Sequence, residues 1–186
     1  MSLTPFAENI LYTVDPLIPQ PILDAMLDQC KNLTFKRSLA GEDKGVPSNI
    51  RTSSQHWLTW DSWIAGIMHN IFISANNDYF HYDLDHFDSG IQVTRYDKNQ
   101  KYDWHIDQQL CPDRLPRKLS MTLLLNDNFS GGEFEMHNTL KRKDEIISLK
   151  AGSACIFPAW VMHRVKPVKS GTRYSLVAWM NGPQFK

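Results

Sequence analysis

Two histidines and one aspartate set the chemistry this chain can do: His105-Ile106-Asp107, then His163, with Arg173 ten residues beyond. Two imidazoles and a carboxylate fill three positions of an octahedron and leave the others open, which is the donor set of a mononuclear non-haem Fe(II) site. The i, i+2 spacing of His105 and Asp107 places both side chains on one face of a strand or its end. His163 lies 56 residues after Asp107, enough for several strands to return the chain to the same mouth. Arg173 follows a turn, in Gly171-Thr172-Arg173-Tyr174-Ser175, and its planar fork can hold a carboxylate with two hydrogen bonds. The combination points to an oxygenase using 2-oxoglutarate, a small diacid that chelates iron at one end and needs a cation at the other. Tyr96, one strand before the first ligand, can donate its hydroxyl to the same cosubstrate.

Taken singly these residues say little. H-x-D recurs at His81-Tyr82-Asp83, with Asp85 and His86 close by. That cluster reads as polar residues on an exposed edge strand, because no histidine and arginine follow it in matching register. A lone arginine is usually a surface ion pair, and a lone tyrosine a core aromatic with a satisfied hydroxyl. The joint arrangement carries the reading. A carboxylate at Asp107, where Ala or Gly would leave room for halide, makes hydroxylation the expected outcome.

The elements that must position these groups change character along the chain. Leu17–Leu33 reads as a helix opened by Pro19 and Pro21, with Ile22, Leu23, Met26, Leu27 and Cys30 at helical spacing. Trp60–Ala75 reads as a second, more apolar helix, with Asp61 or Ser62 as its cap. The polar stretch from Ser38 to Asn49 is expected to be a loop, and a lid is one use for it. From residue 81 the pattern turns to short strands: 91–96, 121–125, 133–136, 145–149, 155–157 and 174–179. Turn signals separate them at Asp97-Lys98-Asn99, Asn126-Asp127-Asn128, Gly131-Gly132, Ala151-Gly152-Ser153 and Ser170-Gly171. Helices first and strands after predict an α+β fold, a double-stranded β-helix (jelly-roll) core with the N-terminal helices packed on one sheet. We expect one domain over 1–186, with 1–80 as helical support and 81–186 as the catalytic core.

Composition narrows the partners. The 186 residues carry 20 acidic and 20 basic side chains, so the basic footprint of a nucleic-acid binder is absent. Three scattered cysteines, Cys30, Cys111 and Cys155, form no C-x-x-C and support neither a disulfide framework nor a zinc knuckle. No apolar run approaches a membrane span. The opening MSLTPFAENI has neither the basic nor the apolar region of a secretory leader, so a cytoplasmic location is expected. Trp57, Trp60 and Trp63 fit a buried core better than an interface.

Several stretches stand in an order that resembles a known family. They are Phe80 to Asp107, Leu123-Leu124-Leu125-Asn126, Phe129 to Phe134, Gly152 to Pro158, His163-Arg164-Val165, Pro167-Val168, and Gly171 to Trp179. Over residues 80 to 180 they resemble the prolyl 4-hydroxylase superfamily of Fe(II)/2-oxoglutarate dioxygenases, most of all its PKHD-type hydroxylases. Asn99 replaces the family's usual glycine, and asparagine tolerates the same left-handed turn. The resemblance implies Fe(II), 2-oxoglutarate and O2 as the working set, with ascorbate as a reductant. It implies iron on His105, Asp107 and His163, and 2-oxoglutarate on Arg173 and Tyr96. Leu123, Phe134, Val165 and Trp179 would line that pocket. Some relatives have a tyrosine hydroxyl where Leu123 falls. Trp104, Arg95, Gln108 and Gln109 flank the ligands and are candidates to face a substrate, either a prolyl peptide or a small molecule. Two rivals differ in class. Oxidative nucleic-acid demethylases carry a second arginine six residues after the carboxylate-binding one, and Trp179 stands there instead. A non-catalytic binding protein would usually have lost a ligand, and none is lost.

Overall fold

The computed structural model describes residues 11–14, 16–38, 49–108, 114–139 and 141–184. The chain begins with β1 (Tyr12–Val14), α1 (Gln20–Lys31), β2 (Lys36–Arg37), β3 (Ser54–Leu58) and α2 (Trp63–Ala75). A π-helical turn (Asn76–Phe80) continues α2. The strands β4 (Ile91–Tyr96), β5 (Tyr102–His105), β6 (Arg117–Leu124), β7 (Ser130–Gly131), β8 (Phe134–Asn138) and β9 (Lys143–Ile147) follow. The last are β10 (Ala154–Pro158), β11 (His163–Val165), β12 (Val168–Ser170) and β13 (Arg173–Asn181).

Pro21 at the start of α1 loses only a donor that has no partner in a first helical turn. Ser62 does take the N-cap position of α2, but its side chain makes no capping bond. Asp61 instead accepts a hydrogen bond from the Thr59 hydroxyl. The predicted helix over-extends at its start because Thr59 to Ser62 form a turn, closed by the Ser62 amide bonding the Thr59 carbonyl at 3.1 Å.

Antiparallel strands assemble in a seven-stranded sheet, β1-β10-β6-β13-β4-β3-β2, and a four-stranded sheet, β5-β11-β8-β9. A two-stranded ribbon, β7-β12, completes the set. Side-chain alternation divides the large sheet between two apolar clusters. On one face Ile91, Val93, Leu119, Met121, Leu123, Ile156, Leu176, Ala178 and Met180 share a cluster with Leu23, Met26 and Cys30 of α1 and with Ile64, Met68 and Phe72 of α2. On the other, Tyr96, Cys155 and Phe157 join Phe134, Met136 and Val165 of the small sheet. The space between the two sheets is where the predicted ligands point.

The strands β2, β3 and β5 carry no clear period-two signal and were not expected from the sequence. The exposed edge strand expected around His81-Tyr82-Asp83 is absent. His81 adopts a left-handed conformation (φ 55°) that ends the π-helical turn. Asn76 then staples Tyr82 from both sides, its amide donating to the Tyr82 carbonyl and its oxygen accepting from the Tyr82 amide, each at 2.9 Å.

Cys30 and Cys155 are buried free thiols, and Cys111 lies outside the described residues. Burial pushes the Cys30 thiol up to about 12 and Cys155 higher still. A raised pKa leaves almost no thiolate at neutral pH, and the thiolate is the nucleophile. Neither side chain should react with iodoacetamide at pH 8 until denaturant is added, as peptide mapping would show. Labelling of either one in the native protein would contradict this packing.

Candidate metal centre and anion pocket

His105 ends β5 and His163 begins β11, and the two strands are paired so that His163 lies opposite His105. Asp107 follows His105 by two residues, and its amide donates to the Ala159 carbonyl at 2.9 Å, which fixes the carboxylate at the strand end. His105 Nε2 stands 3.6 Å from one Asp107 oxygen and His163 Nε2 stands 3.5 Å from the other. All three donor atoms fall within 4.8 Å of one another, the one such group among the described residues. Three donors thus converge on one point.

Protonation suits a cation. Nδ1 of His105 lies 2.7 Å from the Asp103 carbonyl, and Nδ1 of His163 lies 2.9 Å from the Val161 carbonyl. A carbonyl only accepts, so each Nδ1 carries the proton and each Nε2 keeps its lone pair for the metal. Burial, and then the neighbouring His163, lower the His105 pKa to about 3. The imidazole therefore stays neutral throughout the neutral range, and protons do not compete with the metal for it. Burial works to raise the Asp107 pKa, but the two imidazoles outweigh it and hold the carboxyl below its usual range. Trp179 and Ser120 add to this. Their Nε1 and Oγ are buried beside the carboxylate, near enough to favour its charge but outside normal hydrogen-bond geometry.

Arg173 begins β13 and pairs in register with Tyr96 at the end of β4. Its guanidinium is 2% exposed, lies 5.5 Å from the Tyr96 ring centre and donates to Ser175 Oγ at 2.9 Å. No carboxylate among the described residues pairs with it. A buried cation without a counterion is unfavourable unless a ligand supplies one. Gly132 lies alongside: a Cβ there would stand 3.2 Å from Arg173 Cδ, so the missing side chain leaves room for the arginine stem. The donor set and this lone cation fit an iron ion with a bound dicarboxylate.

Aromatic rings hold the ligands in place. Tyr102 stacks on His105 with ring centres 3.5 Å apart, and Phe157 meets His163 edge-on at 4.7 Å. Phe134 lies 5.6 Å from His163, and Val165 shares its cluster. Trp179 lies under the Arg117 guanidinium at 4.0 Å.

Three expected positions are corrected. Leu123 lies in the helix-side core opposite Leu176, whereas Leu124 pairs with Ser175 on the face that carries Arg173. The error is one residue, and in a strand one residue changes the face. Arg95 fails for the same reason. It is adjacent to Tyr96 and points the other way, bound by Nε and Nη2 to Asp97 and set 5.5 Å over Phe35. Trp104 fails likewise, since it neighbours His105 and takes the opposite face; the bulge in this strand, where His163 and Val165, two residues apart, oppose His105 and Tyr102, three residues apart, instead brings Tyr102 to the His105 side. Trp104 packs 4.5 Å beneath Arg164, edge-on to His137. The backbone N–H of Gln108 donates to the Ala159 carbonyl, and Gln109 and most of the predicted lid, 39–48, lie outside the described residues. Sequence reasoning missed Tyr102 and Arg51. The only signal for Tyr102 was an aromatic three residues before a ligand, and Arg51 had none.

Residues 91–181 match the 2OG-Fe(II) oxygenase superfamily. That stretch holds His105, Asp107, His163, Tyr96 and Arg173, and the resemblance to prolyl 4-hydroxylase-type members read from the sequence holds. A PKHD-type hydroxylase of Synechococcus is 32% identical over 95 residues, 48% of this chain and 42% of that protein. Another, of Hyphomonas neptunium, is 39% identical over 84 residues, 42% of this chain and 37% of that protein. The chain spans less than half the length of these curated relatives. Among solved structures, a Pseudomonas putida prolyl-4-hydroxylase superposes with a TM-score of 0.77 at 19% identity, covering 96% of this chain and 95% of that one. A Trichoplax adhaerens prolyl hydroxylase, solved with a hypoxia inducible factor peptide, gives 0.78 at 19%, covering 94% and 84%. At this identity the two structures speak for the jelly-roll fold alone.

Proposed function

We propose that this chain is an Fe(II)- and 2-oxoglutarate-dependent dioxygenase that hydroxylates a C–H bond. One oxygen atom enters the substrate as a hydroxyl, the other enters succinate, and CO2 is released. The observation that carries the reading is the pairing of His105, Asp107 and His163 with a buried Arg173 that no carboxylate among the described residues neutralises. Bound Fe(II) would supply the activation of oxygen.

The chain's own residues bind, orient and dry the site. His105, Asp107 and His163 would hold the metal. Arg173 would take the distal carboxylate of 2-oxoglutarate. Tyr96 is buried beside it, and burial pushes its hydroxyl up, so it acts as a neutral donor. Phe134, Phe157 and Val165 form the apolar wall that excludes water. Ascorbate would serve to keep the iron reduced.

The substrate is proposed as a prolyl peptide or a small molecule, and the peptide bound to the Trichoplax enzyme supports the first. Neither nucleic-acid demethylation nor non-catalytic binding has a supporting observation. Among the described residues no helix is long and apolar enough to cross a membrane, and we place the protein in the cytoplasm as one folded unit. The test is anaerobic titration with Fe(II) and 2-oxoglutarate. A weak visible charge-transfer band should appear in the wild type and vanish in His105→Ala, with succinate released on admitting oxygen. An intact protein that binds neither would refute the oxygenase reading.

A further inference from the structure

The arginines around the site divide by counterion. Arg117 pairs with Asp88, Arg164 with Glu135, and Arg95 with Asp97. Two buried guanidiniums have no carboxylate among the described residues: Arg173, which the cosubstrate explains, and Arg51, which nothing so far explains.

Arg51 is 7% exposed and is held firmly. It bridges to Tyr102 of β5. On either side the Thr52 amide donates to the Lys101 carbonyl at 3.0 Å and the Asp103 amide donates to the Ile50 carbonyl at 2.8 Å. Its Nε donates to Ser53 Oγ at 3.0 Å, and Ser53 passes its own proton to Ser38 Oγ at 3.0 Å. The guanidinium carbon lies over the Tyr102 ring, 4.5 Å from its centre, and Tyr102 stacks on the ligand His105 at 3.5 Å. Nε is thus used, and the guanidinium carbon is covered by the ring. The outer edge, with both Nη groups, has no protein acceptor among the described residues. That edge is the part of an arginine that binds a carboxylate with two parallel hydrogen bonds. The charge reaches the site, since Arg51 and Arg173 both oppose the upward push that burial gives the Tyr96 hydroxyl. The centre therefore has two fixed cations near Tyr96, and 2-oxoglutarate has only one carboxylate left after it chelates iron.

We infer that Arg51 receives a carboxylate of the primary substrate, so that the substrate class is an acid whose reacting C–H bond lies a few bonds from its carboxylate. A free carboxylic acid and the C-terminus of a short peptide share this chemistry. The inference rests on the oxygenase reading above and names the substrate class of that same site. Arg51 on the segment entering β3 orients the acid, while the cosubstrate stays on Arg173 in β13.

The test uses the anaerobic Fe(II)–2-oxoglutarate complex, with binding read by calorimetry. The probes are N-acetyl amino acids, short peptides with free C-termini, and the primary amide of each. The amide keeps shape and loses charge. Acids should bind at least about tenfold more tightly than their amides. The preference should vanish in Arg51→Gln and return in part in Arg51→Lys, which keeps the charge without the fork. Binding of 2-oxoglutarate to Arg51→Gln should stay within about twofold of wild type. The comparison of acetylated amino acids with peptides tells which source of carboxylate fits. Equal binding of acids and amides, or no acid binding at all, overturns the inference. So does a loss of 2-oxoglutarate affinity in both Arg51 variants as large as that in Arg173→Gln, since Arg51 would then serve the cosubstrate. If the wild type binds no iron or 2-oxoglutarate, it is the oxygenase reading that fails.

Discussion

Replacing Arg173 by Gln is expected to weaken 2-oxoglutarate binding about 100-fold, which corresponds to roughly 3 kcal/mol for a charged, two-pronged hydrogen bond in a dry site. The wild-type guanidinium is buried, and its partners among the described residues are one serine hydroxyl and the face of one tyrosine. Its removal leaves no buried acid unpaired. The ligand-free variant should melt at or above the wild-type temperature, because a desolvated cation without a counterion destabilises the free protein. Loss of ligand affinity without loss of stability separates a binding role from a structural one. Arg173→Lys should fall between, since it keeps the charge and loses the planar fork. Titration of the iron complex against 2-oxoglutarate measures all three proteins. Unchanged affinity in Arg173→Gln would show that the cosubstrate sits elsewhere.

Asp107→Ala should abolish turnover and weaken Fe(II) binding by at least about 100-fold, beyond the loss usual for residues that only support a metal ligand. The consequence is visible without activity. Iron at about 100 times its dissociation constant stabilises a folded protein by roughly 2.7 kcal/mol, or about 5–10 °C of melting temperature for a chain of this size. The wild type should show that rise under anaerobic conditions, and Asp107→Ala at the same iron concentration should show no more than about 1–2 °C. The apo variant should remain folded. His105 is held neutral by burial and by His163, with its pKa lowered to about 3, so removing Asp107 strands no positive charge at neutral pH. An equal iron-induced rise in the variant would remove Asp107 from the metal site.

The sequence by itself determined the ligand set. Residue type and order suffice for that, because a metal site is defined by its donors, and His105, Asp107, His163 and Arg173 appear in an order that chance seldom produces. The strands of the second half were legible for a similar local reason: alternating β-branched and apolar residues stand between glycine and asparagine turns. Only the tertiary structure decided which neighbours face the site. In β4 and β6 a shift of one residue moves a side chain from the cavity to the helix-side core, so Tyr96 enters and Arg95 does not, and Leu124 is on the site side and Leu123 is not. In β5 alternation turns Trp104 away from the site, and a bulge brings Tyr102, three residues before His105, onto the His105 ring. Arg51 lies 54 residues before His105 and reaches it only because β3 joins the large sheet and its entry bridges to β5. Strand parity, bulges and pairing between distant segments are set by long-range hydrogen bonds and packing, and no local pattern encodes them.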